Sequence, residues 1–140
     1  MLTKGDVFVF GSNLSGIHGA GAAKRARDAY GAVLGVGFGL MGNAEKAMSY
    51  AIPTKNMKVE DLSIDVIAYH AHTFCTYANN HKHLCFWVTD IGCGLAGRNP
   101  EEMAMLFTDP PINAKFSNRF ADIIFEKRGF DVNRYNATNL

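Results

Sequence analysis

Leu84-Cys85-Phe86-Trp87-Val88 and, a few residues on, Gly92-Cys93-Gly94-Leu95-Ala96-Gly97 followed by Asn99-Pro100-Glu101-Glu102 place three signals in succession. The apolar run reads as a buried strand, the glycines as a turn, and Pro100 with two acidic residues behind it as the first turn of a helix. Glycines let the chain take a positive φ and let a ligand approach the main chain. The free N–H groups of the turn and the helix start supply donors with a favourable dipole. A strand-turn-helix junction of this kind is a cradle for phosphate.

A second junction of the same kind lies near the N-terminus. Val7-Phe8-Val9-Phe10 reads as a short buried strand, Gly11-Ser12-Asn13-Leu14-Ser15-Gly16-Ile17-His18-Gly19 as a glycine-rich connection, and Ala20 to Tyr30 as an Ala-rich helix ended by Gly31. Two such cradles suit a ligand with more than one phosphate, or a long nucleotide. Neither loop carries the G-x-G-x-x-G fingerprint or a following G-K-S/T, which excludes the Rossmann and P-loop readings on their own terms.

Composition sets the frame. The 140 residues suit one domain, and 48% apolar with 19% charged residues is ordinary for a soluble α/β protein. The formal charge of +1 gives no long-range steering toward nucleic acid, so general nucleic-acid binding is not expected and any nucleotide must be recognised locally. No run approaches the ~18 apolar residues of a membrane helix, and Met1 to Asp6 lacks a signal-peptide core. Cys75, Cys85 and Cys93 are odd in number without C-x-x-C spacing, so the expectation is a reduced, cytoplasmic protein without disulfides. A monomer is expected.

Along the rest of the chain, Gly35 to Gly42 has too many glycines for a regular element and reads as a loop with Phe38 at its tip. Ser49-Tyr50-Ala51-Ile52 reads as a strand stopped by Pro53. Leu62, Val66, Ile67, Phe74 and Tyr77 recur at helical spacing, which predicts one long amphipathic helix from Val59 to about Tyr77. Ala78 to Lys82 is a polar turn before the strand Leu84 to Val88. Ile112 to Phe116 and Asn118 to Lys127 read as a last strand and helix, and Asp131 to Leu140 as a loose polar tail. Strands alternating with helices predict a three-layer α/β/α domain with a mixed, mostly parallel sheet. Ligands of such sheets bind at the carboxyl ends of the strands, where both glycine loops and Lys55 fall.

The succession Phe10-Gly11-Ser12-Asn13, His18-Gly19-Ala20-Gly21-Ala22-Ala23, Tyr50-Ala51-Ile52-Pro53-Thr54-Lys55 and Ile91-Gly92-Cys93-Gly94-Leu95 resembles the ADP-ribose-binding macrodomains. Within them it is similar to the branch of terminal ADP-ribose glycohydrolases and DNA de-ADP-ribosylating antitoxins, and to small bacterial and phage proteins of that type. The resemblance runs from about residue 6 to 106 and leaves 107–140 uncovered. It implies binding of ADP-ribose, or of ADP-ribosylated protein or nucleic acid, with hydrolysis of the ADP-ribosyl linkage and no cofactor.

Carried over by residue, Ser12, Asn13 and Gly19-Ala20-Gly21 would face the distal ribose and diphosphate. Gly92, Cys93, Gly94, Leu95, Ala96 and Gly97 would hold the diphosphate from the other side, Asp6 would lie near the adenine, and Thr54 would precede the catalytic Lys55. A desolvated lysine can attack an anomeric carbon as a neutral amine. The resemblance also implies an aspartate directly after G-C-G-L, where this chain has Ala96. Lysine-only chemistry, substitution by His18, a non-catalytic reader and sequestration of an NAD-derived nucleotide signal all remain open.

Several other residues have plainer readings. Cys93 reads as a small residue filling a tight turn, and Cys75 and Cys85 as core. His70 and His72, two apart on a helix, diverge; His81 and His83 flank a turn; no metal site is expected from either pair. Lys24, Arg25 and Arg27 read as the solvent face of the first helix.

Overall fold

The computed structural model describes residues 1–107, 109–126, 133–136 and 140. Six strands form one mixed sheet: β1 (Asp6–Asn13), β2 (Gly39–Met41), β3 (Met48–Lys55), β4 (Cys85–Val88), β5 (Ala114–Ser117) and β6 (Arg134–Tyr135). The helices are α1 (Gly21–Ala29), α2 (Ile64–Asn79), α3 (Pro100–Ala104) and α4 (Asn118–Glu126), with a 3-10 turn at Met105–Phe107. The sheet order is β2-β3-β1-β4-β5-β6, and every pair is parallel except β2 with β3. This is the expected α/β architecture.

The period of two along β1 divides the core. Val7 and Val9 point to the face covered by α2, α3 and α4, where they join Ile52, Ile67, Phe74, Phe86, Phe116 and Phe120. Phe8 and Phe10 point to the other face and pack with Ala26 of α1 and with Tyr30, which caps its end. Each fully buried phenylalanine contributes about 1.5–3 kcal/mol of transfer free energy, so both layers rest on aromatic anchors. On the second face α1 is the sole helix among the described residues. Past it, Lys115 lies 4.4 Å from the centroid of the Trp87 ring.

Several boundaries differ from the sequence expectation. β1 runs three residues past Phe10, through Gly11 to Asn13, because β3 pairs along its whole length. β3 does not stop at Pro53: β2 pairs only as far as Ala51, so Pro53 lies where that side of β3 has lost its neighbour. Gly39–Met41 is a short antiparallel strand rather than loop. The long helix starts at Ile64, capped by the Ser63 hydroxyl; Asn56 to Ser63 instead folds back on β3, with Lys55 bridging to Asp61 and the Leu62 N–H donating to the Thr54 carbonyl. The polar turn after it begins later than expected, since α2 continues to Asn79.

In the tail, Arg134–Tyr135 adds a strand to β5, the Tyr135 hydroxyl donates to the Val88 carbonyl at 2.7 Å, and Arg134 pairs with Asp122 at 2.6 Å. Lys127, Asp131, Val132 and 137–139 of the expected helix end and tail lie outside the described residues. No helix among the described residues is long and apolar enough to cross a membrane.

Candidate functional site

β1 leads through α1 toward β3 on one side, while β4, its neighbour on the other side, leads through α3 toward β5. The connections after two adjacent parallel strands therefore separate in opposite directions and onto opposite faces. This is the switch point at which open α/β sheets hold ligands, and the two connections are the two glycine loops. Between them opens a crevice of about 790 Å³.

The first wall is the start of α1. Gly19 to Ala23 line the crevice, and the cap position is Ala20, whose side chain accepts nothing. The other helices have capping side chains: Ser63 for α2, Asn99 for α3, and Ser117, whose hydroxyl accepts from the Phe120 N–H, for α4. The amides of Gly21, Ala22 and Ala23 have no acceptor among the described residues. An uncapped first turn facing a cavity presents several N–H donors and the positive end of the helix dipole.

The second wall is the loop after β4. Its own hydrogen bonds hold its shape: Cys93 N–H to Asp90 carbonyl at 2.9 Å, Gly97 N–H to Gly94 carbonyl at 3.0 Å, and Arg98 N–H to Gly92 carbonyl at 2.9 Å. The amides of Gly92, Gly94, Leu95 and Ala96 have no acceptor among the described residues. Leu95 reaches across the mouth, its Cδ1 3.6 Å from the point where a side chain on Gly21 would begin. Two sets of uncommitted donors thus face one space.

Charged groups stand at both ends. At the β3 end, Lys55 lines the crevice and its ammonium lies 2.7 Å from Asp61. The hydrogen bond from Lys55 is the main reason that the Asp61 carboxyl sits below its usual range. Val59, at φ 61°, lines the same end from the folded-back segment. At the β6 end the crevice meets Asp90, Arg119, Arg25 and Tyr135. Asp90 accepts from the Ser117 hydroxyl and has Arg119 3.8 Å away.

Of the residues singled out from sequence, the structure brings Ser12, Asn13, Gly19, Ala20, Gly21, Thr54, Lys55 and Gly92 to Ala96 into one crevice. Three do not join them. Asp6 lies at the opposite end of β1, where it accepts from the Trp87 indole N–H at 3.0 Å and the Thr3 amide at 3.0 Å. Gly97 faces away. His18 is 2% exposed and pins the segment after α1: its Nε2–H donates to the Val33 and Val36 carbonyls, both at 3.0 Å, and its ring packs edge-on to Phe10. It is a structural clasp, outside the crevice wall.

Asn13 needs a finer correction. Its side chain closes its own loop, with Oδ1 accepting from the Ile17 amide and Ser15 hydroxyl and Nδ2 donating to the Ile17 carbonyl. The Ser12 hydroxyl likewise donates to the Gly37 carbonyl. Both shape the wall through local bonds. The Cys93 thiol is pushed up by burial and by Asp90, which disfavours a thiolate and agrees with its reading as filler.

Arg25, Asp90 and Arg119 are the functional candidates missed in sequence. Asp90 had a visible signal, a carboxylate directly after a buried strand and before a glycine turn. Arg25 was grouped with Lys24 and Arg27, but those two pair with Asp28 at 2.7 and 3.1 Å while Arg25 turns to the crevice. Among the described residues no cluster of three or more His, Cys, Asp or Glu could hold a metal ion. His81 caps α2, its Nδ1–H donating to the Tyr77 carbonyl at 2.7 Å.

No family model matches the chain, and no curated protein matches it. Among solved structures it is similar to a protein of unknown function from Bacteroides thetaiotaomicron, at a TM-score of 0.58 and 15% identity, over 94% of this chain and 87% of the other. At that identity the likeness concerns the fold alone.

Proposed function

We propose that the crevice binds a nucleotide diphosphate of the ADP-ribose type, held by its phosphates between the start of α1 and the loop after β4. The observation that carries this reading is the pair of opposed donor sets: uncapped amides at Gly21 to Ala23 on one wall and unclaimed amides at Gly92 and Gly94 to Ala96 on the other. One phosphate would satisfy one set. A diphosphate engages both, with Lys55 supplying a compensating cation at one end. The resemblance to macrodomains names ADP-ribose as the first ligand to try, and the related NAD-derived nucleotides as the next.

Hydrolysis of an ADP-ribosyl linkage is the second reading, favoured by the presence of Lys55 in the same crevice as both loops. Lys55 stands as half of an ion pair with Asp61, so attack as a neutral amine requires that its proton first leave that pair. Without such a transfer Lys55 is an electrostatic contact and the protein a reader.

Calorimetry against ADP-ribose, AMP and NAD tests binding; affinity for ADP-ribose no greater than for AMP counts against the diphosphate clamp. Release of ADP-ribose from modified protein or DNA, followed by chromatography, tests turnover. Lys55→Ala and Lys55→Arg should both abolish release while retaining most of the affinity for ADP-ribose. An arginine variant that turns over within a few-fold of the parent excludes the nucleophile role.

A further inference from the structure

The described arginines fall into two groups. Arg27, Arg98 and Arg134 each hold a carboxylate, at 3.1, 3.4 and 2.6 Å. Arg119 only approaches Asp90, at 3.8 Å, beyond hydrogen-bonding range, and Arg25 has no acceptor among the described residues. Arg25 and Arg119 are also the arginines that line the crevice. Their guanidinium donors are therefore unfilled where a ligand would lie.

Placement adds to this. Arg25 comes from α1 on one face of the sheet and Arg119 from the first turn of α4 on the other, so the two approach the same end of the crevice from opposite walls. Arg119 follows β5, three strand spacings from Lys55 on β3, which is about 14 Å. Asp90 lies 3.8 Å from Arg119, and one of its oxygens is taken by the Ser117 hydroxyl.

We propose that Arg25 and Arg119 form a second anion subsite, which takes a phosphate monoester carried on the nucleoside end of the ligand. The inference rests on the nucleotide reading above for the orientation, with the diphosphate in the central clamp and the nucleoside toward β6. Guanidinium forks match a dianionic phosphate in two-point contacts, and Asp90 is placed to accept from a neighbouring ribose hydroxyl. The preferred ligand is thus a nucleoside diphosphate derivative with an additional ribose phosphate.

Binding of AMP, adenosine 2′,5′-bisphosphate and adenosine 3′,5′-bisphosphate is measured by calorimetry on the parent protein and on Arg25→Ala, Arg119→Ala and the double variant. One bisphosphate should bind at least ~tenfold more tightly than AMP, with the advantage falling to about twofold in the double variant. Both side chains are exposed, and melting temperatures near that of the parent establish that the variants fold.

No advantage for either bisphosphate, or an advantage that survives the double substitution, overturns the subsite. ADP-ribose measured in the same series separates the two claims. If ADP-ribose binds no better than AMP while the bisphosphate advantage stands, the clamp reading fails and the subsite holds. The reverse pattern removes the subsite and leaves the clamp.

Discussion

In the loop after β1, a methyl group added at Gly16 would lie 2.3 Å from the Val36 amide nitrogen, and one added at Gly37, in the segment after α1 that packs on this loop, would lie 2.3 Å from the Asn13 carbonyl oxygen. In the loop after β4, a methyl group at Gly94 meets nothing within 4 Å, and Gly94 has no positive φ. The first loop is bare because other backbone packs on it, with Ser12 and His18 tying the contact. Gly94 is bare although neither packing nor conformation requires it. Gly19, at the end of the first loop, is of the same kind, with only Ile17 at 4.0 Å. These two glycines, one on each wall, are where main-chain access is the remaining reason for the residue type. A glycine is informative about a ligand only after the protein's own claims on it have been subtracted.

The largest effect should come from the locked loop. Gly37→Ala drives a methyl group into backbone that cannot yield, which should cost about 3 kcal/mol and roughly 10 °C of melting temperature. Thermal unfolding within a degree or two of the parent would show that the two loops are not different in kind. Gly94→Val should do the reverse. Its melting temperature should stay within about 2 °C of the parent while ADP-ribose affinity falls roughly 30-fold, near 2 kcal/mol, because the branched side chain occupies the space beside the amides. Calorimetry decides it; retained affinity removes this loop from the site.

His18→Ala sharpens the division further. Loss of the bonds to Val33 and Val36 should cost about 1–2 kcal/mol in denaturant unfolding. Affinity for ADP-ribose should change by less than about threefold, since the ring lies behind the wall. A selective loss of turnover at unchanged stability would return His18 to the chemistry.

The smallest effect concerns Lys55 and Asp61. A carboxyl whose folded pKa lies below its ordinary 3.8 contributes stability above that value and loses it as pH falls through the folded pKa. Asp61→Asn should therefore lower the melting temperature slightly at neutral pH, with no difference from the parent once pH is well below 3.8. The carboxylate is exposed, so salt should diminish the difference further. A difference that persists in acid would place the role of Asp61 outside the ion pair.

What sequence could give was set by range. The strand-turn-helix junctions at Val7 to Tyr30 and Leu84 to Glu102 were legible because each is local: an apolar run, glycines, then a helix start. Pro53 misled because its missing N–H matters only if a neighbouring strand is present, and the end of β2 is a tertiary fact. Val59 to Ser63 carried helical spacing into a segment that folds back on β3, where tertiary pairing outweighs periodicity. Asp6 was expected at the site from the macrodomain resemblance alone, and the length of β1 carries it to the other end of the strand, beside Trp87. Arg25 and Arg119 come from helices on opposite faces, and no spacing connects them.

Leu95 has a kinetic consequence. It is 82% exposed, and its side chain reaches over toward Gly21. An exposed leucine changes rotamer in picoseconds to nanoseconds, far faster than a ligand diffuses in at micromolar concentration. This span is closed in an average picture and open in time. Entry past it should not saturate with ligand concentration, and for a ligand held as proposed, residence should be governed by how quickly the two rows of amides let go together.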